Sequence, residues 1–225
     1  ITALAPNDPE LIIVNMNADG QGGAPFGHRT RTLAYNTSNS RLYVSVGSGG
    51  NVDRNSFRSR IRRFDISAEY LNTVDVLPMD FETGFVFADG LRNEVGLALD
   101  RHGVLWGVEN SADQLSRPDL GGRAMTENNP AEELNQFLEA TAGSHYGYPY
   151  CWTEYLLPDE ATVPDSSMAG RGTVWAWPSF LANGDVTDDM CRSPEVYVPP
   201  AVAMQAHSAP LGITFYQWME PETRP

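Results

Sequence analysis

An internal repeat limits most strongly what this chain can fold into. Residues 32–36 (TLAYN) lead to 41–44 (RLYV), and residues 96–100 (GLALD) lead to 104–107 (VLWG). Each copy spells Leu-Ala-apolar-Asn/Asp, a short polar turn, then Leu-aromatic. The step from Leu33 to Leu97 nearly equals that from Leu42 to Leu105, a little over sixty residues. A looser third copy begins in residues 211–216 (LGITFY). Self-similarity of this kind marks stacked supersecondary units, and a blade of this length suits a β-propeller with loop insertions. The plainer reading is two unrelated hairpins built from common strand residues.

The rest of the chain agrees with an all-β fold. It holds 20 Gly and 16 Pro, and its short apolar runs are broken by turn residues. Strands are expected over residues 41–47, 61–66 and 73–77, and a hairpin over 95–108 around Arg101, His102 and Gly103. Residues 129–139 read as a helix, with Asn129 as cap, Pro130 at the first position and Leu134 and Leu138 on one face. They read equally as a loop with one turn. Residues 146–200 are rich in Pro, Trp and Tyr without periodicity, which predicts a long structured excursion. No shift in composition divides the chain, so residues 1–225 are expected to form one unit.

The surface charge excludes some partners. With 15 basic and 29 acidic residues the net charge is −14, which repels nucleic-acid phosphates and anionic membranes. A neutral sugar feels little of that field and calcium is drawn to it, although acidity also serves solubility alone. No apolar run approaches bilayer-spanning length. The first ten residues, ITALAPNDPE, carry no signal-peptide pattern, so the chain is expected to be processed or cut from something longer. Cys151 and Cys191 fit one disulfide closing a Pro-rich loop, or two free thiols. Residues 36–38 (NTS) form a sequon usable only in a eukaryotic secretory pathway. These features lean toward an extracellular location.

A distinctive polar residue precedes each copy of the repeat by four or five positions: His28, Arg92 and His207. In a propeller the innermost strand of every blade lines one axis, so equal offsets in different blades converge in space. Taken singly, His28 reads as a surface histidine, Arg92–Asn93 as a turn, and His207 as a side chain bonded to a nearby carbonyl. Together, an imidazole, a guanidinium and a carboxamide suit a planar polyanionic cofactor and supply a base near neutral pH.

At these residues the chain resembles the soluble pyrroloquinoline-quinone (PQQ)-dependent sugar dehydrogenases, the glucose, sorbosone and fungal pyranose dehydrogenase group. The matching strings are GHRTR at 27–31, LYVSVGS at 42–48 with NVD at 51–53, and GLRNEVGL at 90–97. NPAEELN at 129–135, HYGYPYCWTE at 145–154 and HSAPL at 207–211 follow in the family's order. The closest likeness is to the fungal pyranose and sorbosone branch. The resemblance implies a six-bladed propeller with PQQ at the channel mouth, held through calcium. It implies that His28 is the general base for the sugar hydroxyl while hydride passes to the quinone. It places Arg92 and Asn93 beside the quinone oxygens, Arg92 stabilising developing negative charge, and Arg31 and His207 as further cofactor contacts.

For the metal, the resemblance points to carbonyls near Glu109 and Asn110, and to Glu133 as a carboxylate for a structural calcium. The local string VENSAD at 108–113 lacks the Gly-Pro step of the bacterial glucose enzymes, and the alternative is that these acids simply face solvent. The family's propeller is longer than this chain, which implies that these residues cover only the central blades, an open arc. The implied partners are a sugar and an electron acceptor such as a cytochrome or a dye-like carrier. No Cys-x-x-Cys-His haem attachment site occurs in the sequence. Two other classes remain open: a propeller that binds a protein or glycan without catalysis, and a calcium-dependent lactonase-like hydrolase.

Overall fold

The computed structural model describes residues 11–16, 27–29, 31–55, 57–67, 69–70, 77–158, 161, 163 and 168–216. The fold is all-β, with few and short helices. β1 (Ile13–Val14) precedes a first antiparallel sheet of β2 (Leu33–Asn36), β3 (Arg41–Val46), β4 (Arg60–Asp65) and, after β5 (Met79–Asp80), β6 (Phe85–Asp89). β1 and β5 pair in parallel beside it. A second four-stranded antiparallel sheet runs β7 (Glu94–Leu99), β8 (Leu105–Glu109), β9 (Glu132–Phe137) and β12 (Val202–Met204). The expected strand over residues 73–77 lies outside the described residues except for Leu77, just before β5.

The two good copies of the repeat are the first hairpins of the two sheets. Leu33 pairs with Val44 and Asn36 with Arg41; Leu97 pairs with Gly107 and Leu99 with Leu105. The shared Asn/Asp closes each turn by accepting backbone N–H groups. Asn36 Oδ1 accepts from Ser38 at 3.0 Å, and Asp100 Oδ1 from His102 at 2.8 Å and Val104 at 3.0 Å. Asn36 is 6% exposed and its side chain is engaged in the turn. The two first strands lie together: Thr32 Oγ1 donates to Val95 O at 2.7 Å and Ser45 Oγ to Glu94 O at 2.8 Å. One apolar layer, including Tyr43, Ile61, Phe87, Leu105 and Phe137, fills the space between the sheets.

Residues 129–139 are neither a helix nor a one-turn loop: they carry β9. Its Glu133, Asn135 and Phe137 pair with Glu109, Gly107 and Leu105, while Leu134 pairs with Val202 on the other side. Ladder bonds on both edges outweigh the helical spacing of Leu134 and Leu138, a tertiary override of local propensity. Asn129 ties loops together instead of capping, donating to Met125 O at 3.1 Å and Leu156 O at 2.5 Å. The looser third copy is not a strand either. Residues 211–216 run without ladder pairing, with Leu211 77% exposed and Phe215 edge-on to Trp106 at 6.0 Å.

The expected excursion is present and has its own core. β10 (Cys151–Thr153) and β11 (Val174–Ala176) form a hairpin, followed by α1 (Pro178–Asn183) and α2 (Asp188–Arg192). Trp152, Trp175, Trp177 and Phe180 pack with Leu115, Leu120 and Met125. Cys151 and Cys191 are disulfide-bonded, with Cα atoms 5.7 Å apart, which decides between the two readings of the cysteine pair. Among the described residues no helix is long and apolar enough to cross a membrane.

Candidate functional site

The ends of the two inner strands, β2 and β7, bring the polar residues of the repeat together. His28 N–H donates to Ser48 O at 3.0 Å, and Ser48 N–H donates to Arg92 O at 2.8 Å. Ser48, two residues past the end of β3, thus stitches the His28 segment to the Arg92 segment. Gly47 makes this approach possible. A Cβ there would lie 2.6 Å from His28 Cβ and 2.9 Å from Asn93 Oδ1, closer than any real side chain tolerates. His28 is half-buried, with Nδ1 2.9 Å from Ser48 Oγ. Burial and the Arg92 guanidinium hold its imidazole below the ordinary histidine value, so it is neutral near pH 7. Arg31 supports this segment by donating to His28 O at 3.1 Å.

Arg92 is 8% exposed and fully engaged within the chain. Nε donates to Asn51 O at 3.3 Å, and Nη1 to Asn110 O at 3.1 Å and Ser111 O at 2.5 Å. Nη2 reaches Asn51 Oδ1 at 3.1 Å and Asp113 Oδ2 at 3.3 Å. These contacts account for its five donors. Asp113 is 60% exposed and its other oxygen lies 3.9 Å from His207 Nδ1, so a solvent-facing carboxylate sits between Arg92 and His207. The His207 segment is docked here by two further bonds, His207 Nε2 with Thr126 O at 2.7 Å and Asn110 Nδ2 to Pro210 O at 2.8 Å. Asn93 completes the rim, its N–H side chain 3.4 Å from Asn110 Oδ1.

Below this rim lies a buried acidic cluster. Glu94, Glu109 and Glu133 turn toward Asn135, whose Nδ2 is 3.4, 3.3 and 3.5 Å from one oxygen of each. An amide carries two hydrogens, so three carboxylates cannot all be satisfied by it. Gly107 leaves room for the group: its Cβ would fall 2.0 Å from Glu94 Oε1. Glu94 Oε1 and Asn135 Oδ1 are buried without a hydrogen-bond partner. Burial pushes the Glu94 and Glu109 carboxyls well above the usual carboxylate range and Glu133 up to about 7. The other oxygen of Glu109 accepts the Arg92 backbone N–H, joining the cluster to the rim. The alternative that Glu109 and Glu133 simply face solvent does not hold, since both are buried.

Could this cluster hold a cation? Among the described residues no three acidic, histidine or cysteine side chains are already arranged as a metal-ligand set. The chemistry fits nevertheless: three carboxylates, one of them with an orphaned oxygen, and an orphaned amide oxygen are hard oxygen donors, and calcium would supply the missing positive charge. A cavity of about 20 Å³ is bordered by two of these carboxylates, Glu109 and Glu133, with Ser111 and Thr153.

The structure brings His28, Arg92, Asn93 and His207 into one neighbourhood with Asn110, and adds Ser48, Asp113, Glu94 and Asn135, which the sequence reading did not single out. Glu94 was legible beside Arg92–Asn93. Asn135 was hidden by the helical reading, which puts it and Glu133 on different faces, whereas a strand puts them on one.

A family profile described as TrAA12-like matches residues 2–222. The chain belongs to the TrAA12-like family. This TrAA12-like chain is 38% identical over 222 residues to a pyrroloquinoline quinone-dependent sugar dehydrogenase of Hypocrea jecorina, covering 93% of this chain and 47% of the relative. It is 33% identical over 199 residues to a pyrroloquinoline quinone-dependent pyranose dehydrogenase of Coprinopsis cinerea, covering 84% of this chain and 26% of the relative. The chain therefore spans half or less of the length of these relatives. Among solved structures, the calcium structure of the Trichoderma reesei family AA12 enzyme superposes with a TM-score of 0.75 at 33% identity, covering 91% of this chain and 48% of that one. The holo form of the Coprinopsis cinerea pyranose dehydrogenase PQQ domain gives 0.72 at 28% identity, covering 91% and 47%.

Proposed function

We propose that this chain supplies two central blades of a β-propeller quinoprotein that oxidises the hydroxyl of an aldose or related sugar. The observation that carries the reading is the half-buried, neutral His28 set against Asn93 across Gly47, with Arg92 one hydrogen-bonded step away. The sugar and pyranose dehydrogenase relatives and the Coprinopsis cinerea PQQ domain support PQQ as the cofactor. The two sheets, with β2 and β7 side by side, support the blade reading. When bound, PQQ supplies the quinone that accepts the hydride.

The chain's own residues do the rest. His28 takes the proton of the sugar hydroxyl, as a base whose imidazole is unprotonated at working pH. Asn93 would contact the quinone, Arg92 would contribute positive charge to an anionic ligand that takes the place of its exposed partner Asp113, and His207 would be a further contact. Arg31 holds His28 in place and contributes positive charge. Glu109, Glu133 and Glu94 with Asn135 would hold calcium beneath the rim, and the Asn110 carbonyl, already accepting from Arg92, keeps a second lone pair for a cation at the rim. Electrons leave to a separate carrier. The disulfide supports a secreted location.

The test is dye reduction by the protein with a panel of sugars, with and without PQQ and calcium. Sugar-dependent reduction requiring both is expected. His28→Gln should lower turnover about a hundredfold or more while PQQ stays bound, the scale of a lost general base. Absence of PQQ binding would overturn the reading in favour of a non-catalytic module. Lactone hydrolysis without PQQ would overturn it in favour of a hydrolase.

A further inference from the structure

Ser48 is fully buried and makes four contacts that converge on the candidate base. Its backbone carbonyl and N–H clamp the His28 and Arg92 segments, as described. Its hydroxyl does something separate. Ser48 Oγ lies 2.6 Å from Gly50 O and 2.9 Å from His28 Nδ1. A carbonyl oxygen only accepts, so an oxygen–oxygen contact this short places the single hydroxyl hydrogen between Ser48 and Gly50. Toward His28 the serine then offers only lone pairs. Nδ1 must be the donor.

We propose that Ser48 is a positioning residue that locks His28 in the tautomer with its hydrogen on Nδ1, leaving the Nε2 lone pair to receive a substrate proton. Among the described residues Nε2 has no hydrogen-bond partner, as a group reserved for substrate requires. The Gly50 carbonyl is itself held: the single hydroxyl hydrogen of Tyr148 is shared between Gly50 O at 3.3 Å and Asn51 O at 3.1 Å. The lock is therefore a relay, Tyr148 and Gly50 setting the serine hydroxyl and the serine setting the imidazole. The ring that a base must present is decided by the other nitrogen's hydrogen bond. The serine hydroxyl fixes which nitrogen carries the hydrogen, while burial and the Arg92 guanidinium hold the imidazole below the ordinary histidine value.

The inference rests on the reading of His28 as base, but its first test does not need turnover. Nitrogen NMR of the 15N-histidine-labelled protein, with His28 among four histidines assigned through His28→Gln, should show Nδ1 protonated and Nε2 unprotonated at neutral pH. The opposite tautomer in the wild type overturns the proposal, whether or not any variant folds. Ser48→Ala retains both backbone clamps and should give a mixture of tautomers, whereas Ser48→Thr, which keeps a hydroxyl, should restore the single form. An unchanged tautomer in a folded Ser48→Ala protein also overturns it. In the loaded enzyme Ser48→Ala should lower kcat about tenfold with PQQ affinity unchanged. Locked wild-type His28 in a protein without sugar oxidation would sink the dehydrogenase reading alone.

Discussion

Two buried arginines divide the molecule into a region that is electrostatically closed and one that is not. Arg117, 3% exposed and packed against the excursion, meets Asp119 at 2.5 Å and Asp188 at 2.6 Å, and lies over the Trp175 ring at 5.6 Å. Its charge is matched by carboxylates beside it, and those hydrogen bonds raise the arginine and lower Asp119 from their ordinary values. Arg92 is buried to a similar extent, yet its partners are carbonyls, one amide and one exposed carboxylate, while three buried carboxylates nearby gather on a single amide. Three buried carboxylates converging on one amide, with orphaned atoms on Glu94 and Asn135, form a grouping that a bound cation would satisfy.

The contrast can be broken most forcefully at Asp188. Asp188→Ala takes away the less exposed of the two carboxylates that hold Arg117, leaving Asp119 alone, and removes the acceptor of the Ala176 N–H, so denaturant unfolding should show a loss of about 3–5 kcal/mol. A loss below about 1 kcal/mol would mean that the excursion is not closed by this pair. Replacing both Cys151 and Cys191 by Ser opens a loop of sequence separation 40 and should remove about 2–4 kcal/mol. Thermal melts with and without reductant check it.

The open region should respond oppositely. Calcium at a hundredfold excess over its dissociation constant should stabilise the protein by about 2.7 kcal/mol. Glu133→Gln, neutral or stabilising without calcium, should abolish most of that gain. A calcium response unaltered in Glu133→Gln would place the ion elsewhere.

The junction between the regions carries a pH effect. His145 accepts the Gly147 N–H at 3.0 Å and packs on Tyr150 and Tyr197, and burial lowers its imidazole below 6.5. A depressed histidine binds fewer protons in the folded state, so its stability contribution is present above about pH 6.5 and is lost as pH falls toward its folded value. Unfolding midpoints at pH 7 and 5.5 should differ accordingly, and His145→Gln should flatten the difference. The smallest effect is expected at exposed Asp113. Asp113→Asn should change stability by less than about 0.5 kcal/mol while tightening the binding of an anionic ligand at Arg92 several-fold, measured by titration with PQQ.

How much of this was legible follows from what each signal measures. The Leu-Ala-apolar-Asn/Asp pattern predicted both hairpins because its information is local: alternation for the strands, an acceptor side chain for the turn. The same offset logic put His28 and Arg92 in one place. It failed for residues 211–216, where strand-like composition met no neighbouring ladder, and for residues 129–139, where helical spacing met ladders on both sides.

By itself, then, the sequence determined the all-β character, the paired hairpins and the convergence of His28, Arg92 and His207, since periodicity and turn chemistry are properties of neighbouring residues. Only the tertiary structure decided the strand identity of β9, the gathering of Glu94, Glu109 and Glu133 on Asn135, the pairing of the cysteines and the contact of Ser48 with His28. Those depend on which distant segments share an interior, where a carboxylate must find a partner and a hydroxyl has one hydrogen to give.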